Sequence, residues 1–347
     1  MSNKDLREIP LMEHIRKRPG MYIGRSDAKG VILLIREVLI ECIAFCESNE
    51  ILFSVVVHGE NKFSIEVNAE KDFSPLIANL FADGKGAQNL FIKALIAISE
   101  EIEIVTSTDV WLYKRGDFQK RISAASDTAL IFNFEVDMTV FKETDIDYNE
   151  LAGKMYQLAM LNRGAGIIIK DHRQKYPSQN YFCIPQGVFY LFERIAPSSY
   201  FEIRFDGQID QFTYQLAVAY LGPYHKYPKG YISTFANDTD TCYGGTHVNG
   251  IIEGITAAFR KYIRVNKLSG YRVNRKQVMN GLVIVCAVRG REIEYHGSTK
   301  EKLGNPEIQE HMRKLTSTLI FDQIKDKEGV VNHFISRFDP SCFMSMI

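Results

Sequence analysis

Net charge is the first thing this sequence lacks. Its 42 Lys and Arg residues balance 42 Asp and Glu, so no whole-molecule field draws in a polyanion, and any nucleic-acid contact has to rest on a local patch. Long apolar runs are also missing. The most apolar stretch, residues 31–46, is interrupted by Arg36, Glu37 and Glu41, and nothing approaches the roughly 20 residues of a membrane span. The first ten residues are polar, which argues against a signal peptide. Of the six cysteines only Cys42 and Cys46 lie close together, and no C-x-x-C pair or zinc-type Cys/His spacing occurs. The expectation is reduced, mostly buried thiols in a cytoplasmic protein. Internal repeats and low-complexity segments are absent as well.

What is present suits a globular chain. With 347 residues, 46% of them apolar, it is long enough for two domains. Residues 31–46 read as a helix apolar nearly all round, hence buried. Residues 51–57 and 63–67 read as strands joined by a turn at Gly59-Glu60-Asn61. An apolar helix is expected over 89–99, strands over 101–106, 110–114, 118–123 and 129–136, a helix over 148–161 and a strand over 167–170. Helices on one face of an antiparallel sheet define an α+β fold. Ile195-Ala196-Pro197-Ser198-Ser199 reads as a boundary. Beyond it come strands over 200–205, 212–220, 231–235 and 282–288, a helix over 250–265, and a helix from Pro306 onward. The expected division is an N-terminal arm over 1–15, a first domain over 16–196 and a second over 197–347.

Four motifs carry a resemblance. Arg16-Lys17-Arg18-Pro19-Gly20-Met21-Tyr22-Ile23-Gly24 is long and specific. Glu37 follows on the first apolar helix. Tyr243-Gly244-Gly245-Thr246-His247-Val248-Asn249-Gly250 and Gly297-Ser298-Thr299-Lys300-Glu301-Lys302-Leu303-Gly304-Asn305 come later. Leu161-Asn162-Arg163-Gly164 adds a shorter match. In content and order these resemble the N-terminal region of type II topoisomerase B subunits, that is, of DNA gyrase and topoisomerase IV. The resemblance implies a GHKL (Bergerat) α/β sandwich followed by a ribosomal-S5-like transducer domain. It also implies that the strand-cleaving TOPRIM domain of such proteins lies outside this sequence.

The resemblance assigns roles residue by residue. Glu37 matches the general base that activates water against the γ-phosphate, and an ordinary paired helix carboxylate is the competing reading. The magnesium-binding asparagine corresponds to Glu41, a carboxylate able to ligate the metal. Glu41 shares a helix face with Glu37, and it sets a negative charge near the triphosphate at a cost of about 2–3 kcal/mol. The adenine-binding aspartate of D-x-G-x-G falls on Val67, or on Asn68 after a one-residue slip, and both glycines are gone. The phosphate-wrapping glycine-rich lid falls on residues 83–89, where Lys85 is either a phosphate contact or a solvated loop lysine and Gly86 is one of two displaced glycines. Thr128 matches the threonine near adenine, Lys300 the lysine that reaches the γ-phosphate, and Ser298 replaces a glutamine. The departures imply weak ATP and magnesium binding or none.

From Gly254 to Gly290 the sequence holds eight basic and no acidic residues. Seven of them, Arg260, Lys261, Arg264, Lys267, Arg272, Arg275 and Lys276, form a candidate duplex-DNA surface, against the alternative of an ordinary solvated face. The resemblance further implies a homodimer through the ATPase-like domain and a type II topoisomerase subunit as partner, with no membrane. Two functions follow as expectations. One is a pseudo-ATPase that binds, regulates or protects a topoisomerase or DNA. The other is a divergent ATP-hydrolysing module that works with a separate TOPRIM-bearing partner.

Overall fold

The computed structural model describes residues 10–46, 50–81, 88–124, 130–197, 199, 201–221, 230–268, 271–297 and 299–326. Lys85, Gly86, Thr128 and Ser298 lie outside these residues, as does the polar part of the expected arm. The chain divides into two units, 1–185 and 186–347.

The first unit runs α1 (Leu11–Lys17), α2 (Gly20–Ile23), α3 (Ala28–Cys46), β1 (Ile51–Val57), β2 (Lys62–Asn68), α4 (Ser74–Ala78), α5 (Leu90–Ile98), β3 (Ser99–Thr106), β4 (Asp109–Lys114), β5 (Asp117–Ser123), β6 (Leu130–Val136), α6 (Tyr148–Leu161), β7 (Ala165–Asp171) and β8 (Ser178–Cys183). Its eight strands form one sheet in the order β5-β4-β3-β6-β2-β1-β7-β8. All described neighbours pair antiparallel except β1 with β7.

Period-2 burial fixes which side faces in. Phe53, Val55 and Val57 of β1, Phe63, Ile65 and Val67 of β2, and Phe132 and Phe134 of β6 join the inner faces of α3 and α5 in one core. Buried Val31, Leu34, Ile35, Val38, Leu39 and Cys42 form the inward stripe of α3, whereas Leu33, Glu37, Ile40 and Glu41 are only half-buried, so the helix is not buried all round. That helix begins at Ala28, earlier than the apolar pattern suggests, because the Asp27 side chain accepts from the Lys29 and Gly30 N–H groups and starts the first turn. Residues 11–15, expected in a polar arm, belong to α1 and bury Ile15 completely.

The second unit runs α7 (Val188–Ile195), β9 (Phe201–Ile209), β10 (Phe212–Tyr220), β11 (Tyr231–Ala236), β12 (Thr239–Asp240), α8 (Thr246–Val265), α9 (Arg275–Met279), β13 (Leu282–Arg289) and α10 (Pro306–Ile324). Its sheet order is β12-β11-β13-β10-β9, with β11 and β13 parallel as the expected β-α-β order requires. Tyr214, Leu216, Val218 and Tyr220 of β10 share a core with Ile251, Ile255 and Phe259 of α8. The intervening Gln215, Ala217 and Ala219 are buried too, and α7 packs against β10 and β13. Covering on both faces explains the unbroken apolar run of β13.

The helix α7 therefore goes with the second unit, although the sequence break near Pro197 points to the first. The Gln215 side chain ties it there, accepting from the Val188 N–H and donating to the Gln186 carbonyl. Helices α8 and α10 lie close together because Gly250 and Gly254 present no side chain. A Cβ at either position would strike the backbone of α10.

Candidate functional site

Three residues of α3 lie one turn apart on one face: Glu37, Glu41 and Phe45. Each is engaged by the chain itself. The Glu37 carboxylate forms an ion pair with the neighbouring Arg36 guanidinium, and Arg36 is only 8% exposed. The paired reading of Glu37 thus describes its surroundings. Glu41 reaches the start of α5, where its two oxygens accept the backbone N–H groups of Phe91 and Ile92, each at 2.9 Å. Burial raises the Glu41 pKa, the two N–H groups oppose that rise, and the Glu37 charge adds to it. One turn further, the Phe45 ring packs against Phe73 with centroids 5.3 Å apart, and Lys71 Nζ lies 5.2 Å from the centre of the Phe45 ring.

Phe73, just beyond the end of β2, is fully buried. Val67, the position matched to the adenine-binding aspartate, is also fully buried and part of the core, so no polar group from that position enters the site. Asn68 stands exposed at the end of β2. The helix α5 holds a further charge that patterning overlooks: Lys93 is 5% exposed. Its ammonium has no hydrogen-bond or ion-pair partner among the described residues, and its field stabilises the Glu41 carboxylate. Among the described residues no group of three or more His, Cys, Asp and Glu side chains forms a metal-sized cage. Glu41, the candidate magnesium ligand, has both oxygens committed to backbone.

The opening motif has a structural task. Arg16 donates to the Ala97 carbonyl and pairs with Asp137, which is 1% exposed. Burial pushes the Asp137 carboxyl up, but hydrogen bonds from Arg16 and Thr139 outweigh it and hold the group below the ordinary carboxylate value. His14 Nδ1 and the Tyr22 hydroxyl lie 2.7 Å apart, bracing α1 against α2. The motif thus fastens the N-terminal helices to the ends of α5 and β6.

In the second unit the two later motifs meet. The Leu303 N–H donates to the Gly244 carbonyl, and the Thr246 N–H donates to the Leu303 carbonyl. Gly245 has φ 131°, a conformation open to glycine, and a Cβ there would collide with the Leu303 backbone. Thr246 and His247 then open α8. His247 is fully buried, with Nε2 3.2 Å from the Thr241 hydroxyl and Nδ1 without a partner. Burial lowers its pKa to about 3. Asn305 closes the loop, accepting from the Glu294 N–H and donating to the Glu292 carbonyl. Lys300 stands exposed on that loop with φ 58°.

The seven candidate DNA-contacting cations are all exposed. Arg260 donates to the Val273 carbonyl, Lys261 lies 3.8 Å from the centre of the Phe321 ring, and Arg275 donates to Asn249 Oδ1. None of the seven has a carboxylate partner among the described residues. The eighth basic residue of that stretch, Arg289, pairs with Asp238.

Comparisons with known proteins agree with this architecture. Residues 190–338 match the family model for DNA gyrase B. The DNA gyrase B protein of Streptococcus pneumoniae serotype 4 is 26% identical over 94% of this chain and 56% of its own length. That of Haloferax lucentense is 27% identical over 94% of this chain and 57% of its own length. The chain thus spans somewhat over half the length of these curated relatives. Among solved structures, the 43K ATPase domain of Thermus thermophilus gyrase B, in complex with an aminocoumarin, superposes with a TM-score of 0.76. It covers 94% of this chain and 93% of its own at 17% identity. The topoisomerase IV ATP-binding domain of Francisella tularensis gives 0.73, covering 94% and 95% at 17% identity. By sequence and by fold, this chain is a relative of the N-terminal region of type II topoisomerase B subunits.

Proposed function

We propose that this chain is a gyrase-B-like binding module that does not turn over ATP. One observation carries the non-catalytic part: the carboxylate matched to the general base is held in an ion pair by Arg36. A carboxylate with a permanent cationic partner is a poor proton acceptor, because the cation stabilises its charged form. The commitment of Glu41 to the start of α5, the burial of Val67 and the Phe45–Phe73 contact support the same reading. Among the described residues, Glu37, Glu41 and Val67 do not fit a magnesium nucleotide at their matched positions.

The binding role draws support from the α8–α9 cations, which lack carboxylate partners among the described residues and so keep their charge available to phosphates. Duplex DNA is the proposed ligand of that surface. Association with a type II topoisomerase subunit, and homodimerisation through the first unit, are companion proposals from the family relationship. A second reading, a divergent ATPase completed by a separate partner, has one feature in its favour. Lys300 is exposed on a loop fixed by Gly244, Gly245 and Asn305.

Phosphate release from Mg-ATP, measured with and without duplex DNA, separates the two. The proposed function predicts no turnover in either case, with salt-dependent retention of DNA. Turnover that DNA stimulates and Glu37→Ala abolishes would establish the second reading instead.

A further inference from the structure

Each described sheet ends in two edge strands, and three of these four edges are guarded against pairing with another chain. The edge β5 carries Asp117, Lys120 and Arg121, and its register shifts opposite Leu112 and Tyr113. The edge β9 carries Glu202, Arg204 and Asp206. The edge β12 is two residues long and leaves only residues 231–233 of β11 open. Charge, bulges and shortness are the usual guards of a sheet edge. The fourth edge, β8, has none of them. Its six residues, Ser178-Gln179-Asn180-Tyr181-Phe182-Cys183, hold no charge, and they pair with β7 without a register shift. Beyond that ladder they make no backbone hydrogen bond among the described residues. Asn180 and Phe182 face α6, where the Tyr148 hydroxyl donates to Asn180 Oδ1 and the Tyr156 ring meets Phe182. Gln179, Tyr181 and Cys183 therefore share the opposite face, and Tyr181 is 59% exposed.

We infer that β8 is an interface between two copies of this chain, paired antiparallel about a two-fold axis that passes between their Tyr181 residues. Pro177 and Pro185 flank the strand, each four residues from Tyr181. Proline has no N–H to give to a ladder, so the two prolines end any pairing at the same distance from Tyr181 in both directions. A two-fold normal to the sheet sets Pro177 opposite the partner's Pro185 and Gln179 opposite the partner's Cys183. Asn180 then stands opposite the partner's Phe182, and the two Tyr181 rings lie side by side. No like charges meet in that register. A foreign strand finds no charge on β8 to select it, whereas a second copy supplies the matching pair of prolines. The contact uses the same patch on both copies, and growth stops at two because the far edge of the sheet, β5, is guarded. This inference gives the homodimer proposed through the first unit a named interface, and it is independent of the reading of the nucleotide site.

The test runs the full chain in sedimentation velocity over a range of concentrations, as wild type, Tyr181→Phe and Tyr181→Lys. Far-UV circular dichroism and Trp111 fluorescence certify folding. Wild type and Tyr181→Phe are expected at twice the chain mass. Tyr181→Lys sets two ammonium groups opposite each other and should raise the dimer dissociation constant by about tenfold or more. A second measurement reads the register in a chain carrying Cys242→Ser and Cys342→Ser, with a short bismaleimide as the cross-linker. The two Cys183 thiols of a dimer then stand roughly 14 Å apart, whereas Gln179→Cys puts a thiol about 5 Å from the partner's Cys183. Only the chain with Gln179→Cys should yield a covalent dimer. A monomeric wild type overturns the inference, whatever other strand the edge accepts. A dimer that folded Tyr181→Lys leaves intact is held by another face: it overturns the β8 interface and leaves homodimerisation through the first unit standing. A dimer that gives no cross-link with Gln179→Cys overturns the inference as well.

Discussion

The two units treat their inherited motifs in opposite ways. In the second, Tyr243, Gly244 and Thr246 interlock with Glu301 and Leu303 through backbone hydrogen bonds, and Lys300 stays exposed. In the first, the opening motif keeps its fastening role through Arg16 and Asp137, while the residues of α3 matched to the nucleotide site are half-buried. Glu37, Glu41 and Phe45 each meet a group of the same unit. A motif that closes backbone geometry persists because the fold needs it. A motif that only serves a ligand can be rewired at little cost to the core.

The largest expected effect tests the interlock. Gly245→Val places a β-branched side chain at φ 131° against the Leu303 backbone and should destabilise the second unit by about 4 kcal/mol or more. Trp111 is the single tryptophan and lies in the first unit. Its fluorescence should therefore hold in urea after the circular dichroism of the second unit has been lost.

Acid should separate the units next. His247 is favoured neutral by the fold, so its contribution is complete above about pH 6.5 and is lost as pH falls towards its folded value of about 3. That amounts to about 3 kcal/mol between pH 6.5 and 4. Over the same range the first unit changes less. Asp137, held below the ordinary value, loses its contribution only as pH falls below about 4. Glu41, raised by burial, favours the fold when protonated. His58, lowered by burial and by His172, works in the same direction as His247 but is too exposed to weigh much. Equal acid sensitivity of Trp111 fluorescence and of total helicity would break the comparison.

Arg16→Ala leaves Asp137 buried with Thr139 and with Arg115 at 3.5 Å. It should cost the first unit about 2–3 kcal/mol, read as an earlier Trp111 transition. The smallest effect concerns DNA. Arg260→Glu with Lys261→Glu should weaken duplex binding and flatten its salt dependence by about 0.9 in logarithmic slope for each phosphate no longer neutralised, with the Trp111 transition unmoved and the second unit shifted only by the loss of the Val273 and Phe321 contacts.

Much of the fold was legible in sequence because its strands alternate and its buried helices are apolar. The strand β8 was not: its side chains are exposed apart from half-buried Phe182, so it carries no period. The short helices α1 and α2 are held by Arg16 and His14 contacts rather than by their own pattern. The site was legible in residue identity but not in partnership. The neighbour of Glu37 stands beside it in the sequence. The partners of Glu41 are backbone groups fifty residues away, which no side-chain pattern announces. One signal was available: a lone lysine, Lys93, in an otherwise apolar helix. Val67 likewise announces its burial by alternating with Phe63 and Ile65.

The central claim is that the first unit has closed its nucleotide site with its own side chains. Calorimetric titration of the full chain with Mg-ATP tests it most directly. Losses of about 4–8 kcal/mol from a micromolar site leave millimolar affinity or weaker, so no saturable heat is expected at micromolar ligand. A one-to-one isotherm with a micromolar Kd would contradict the account.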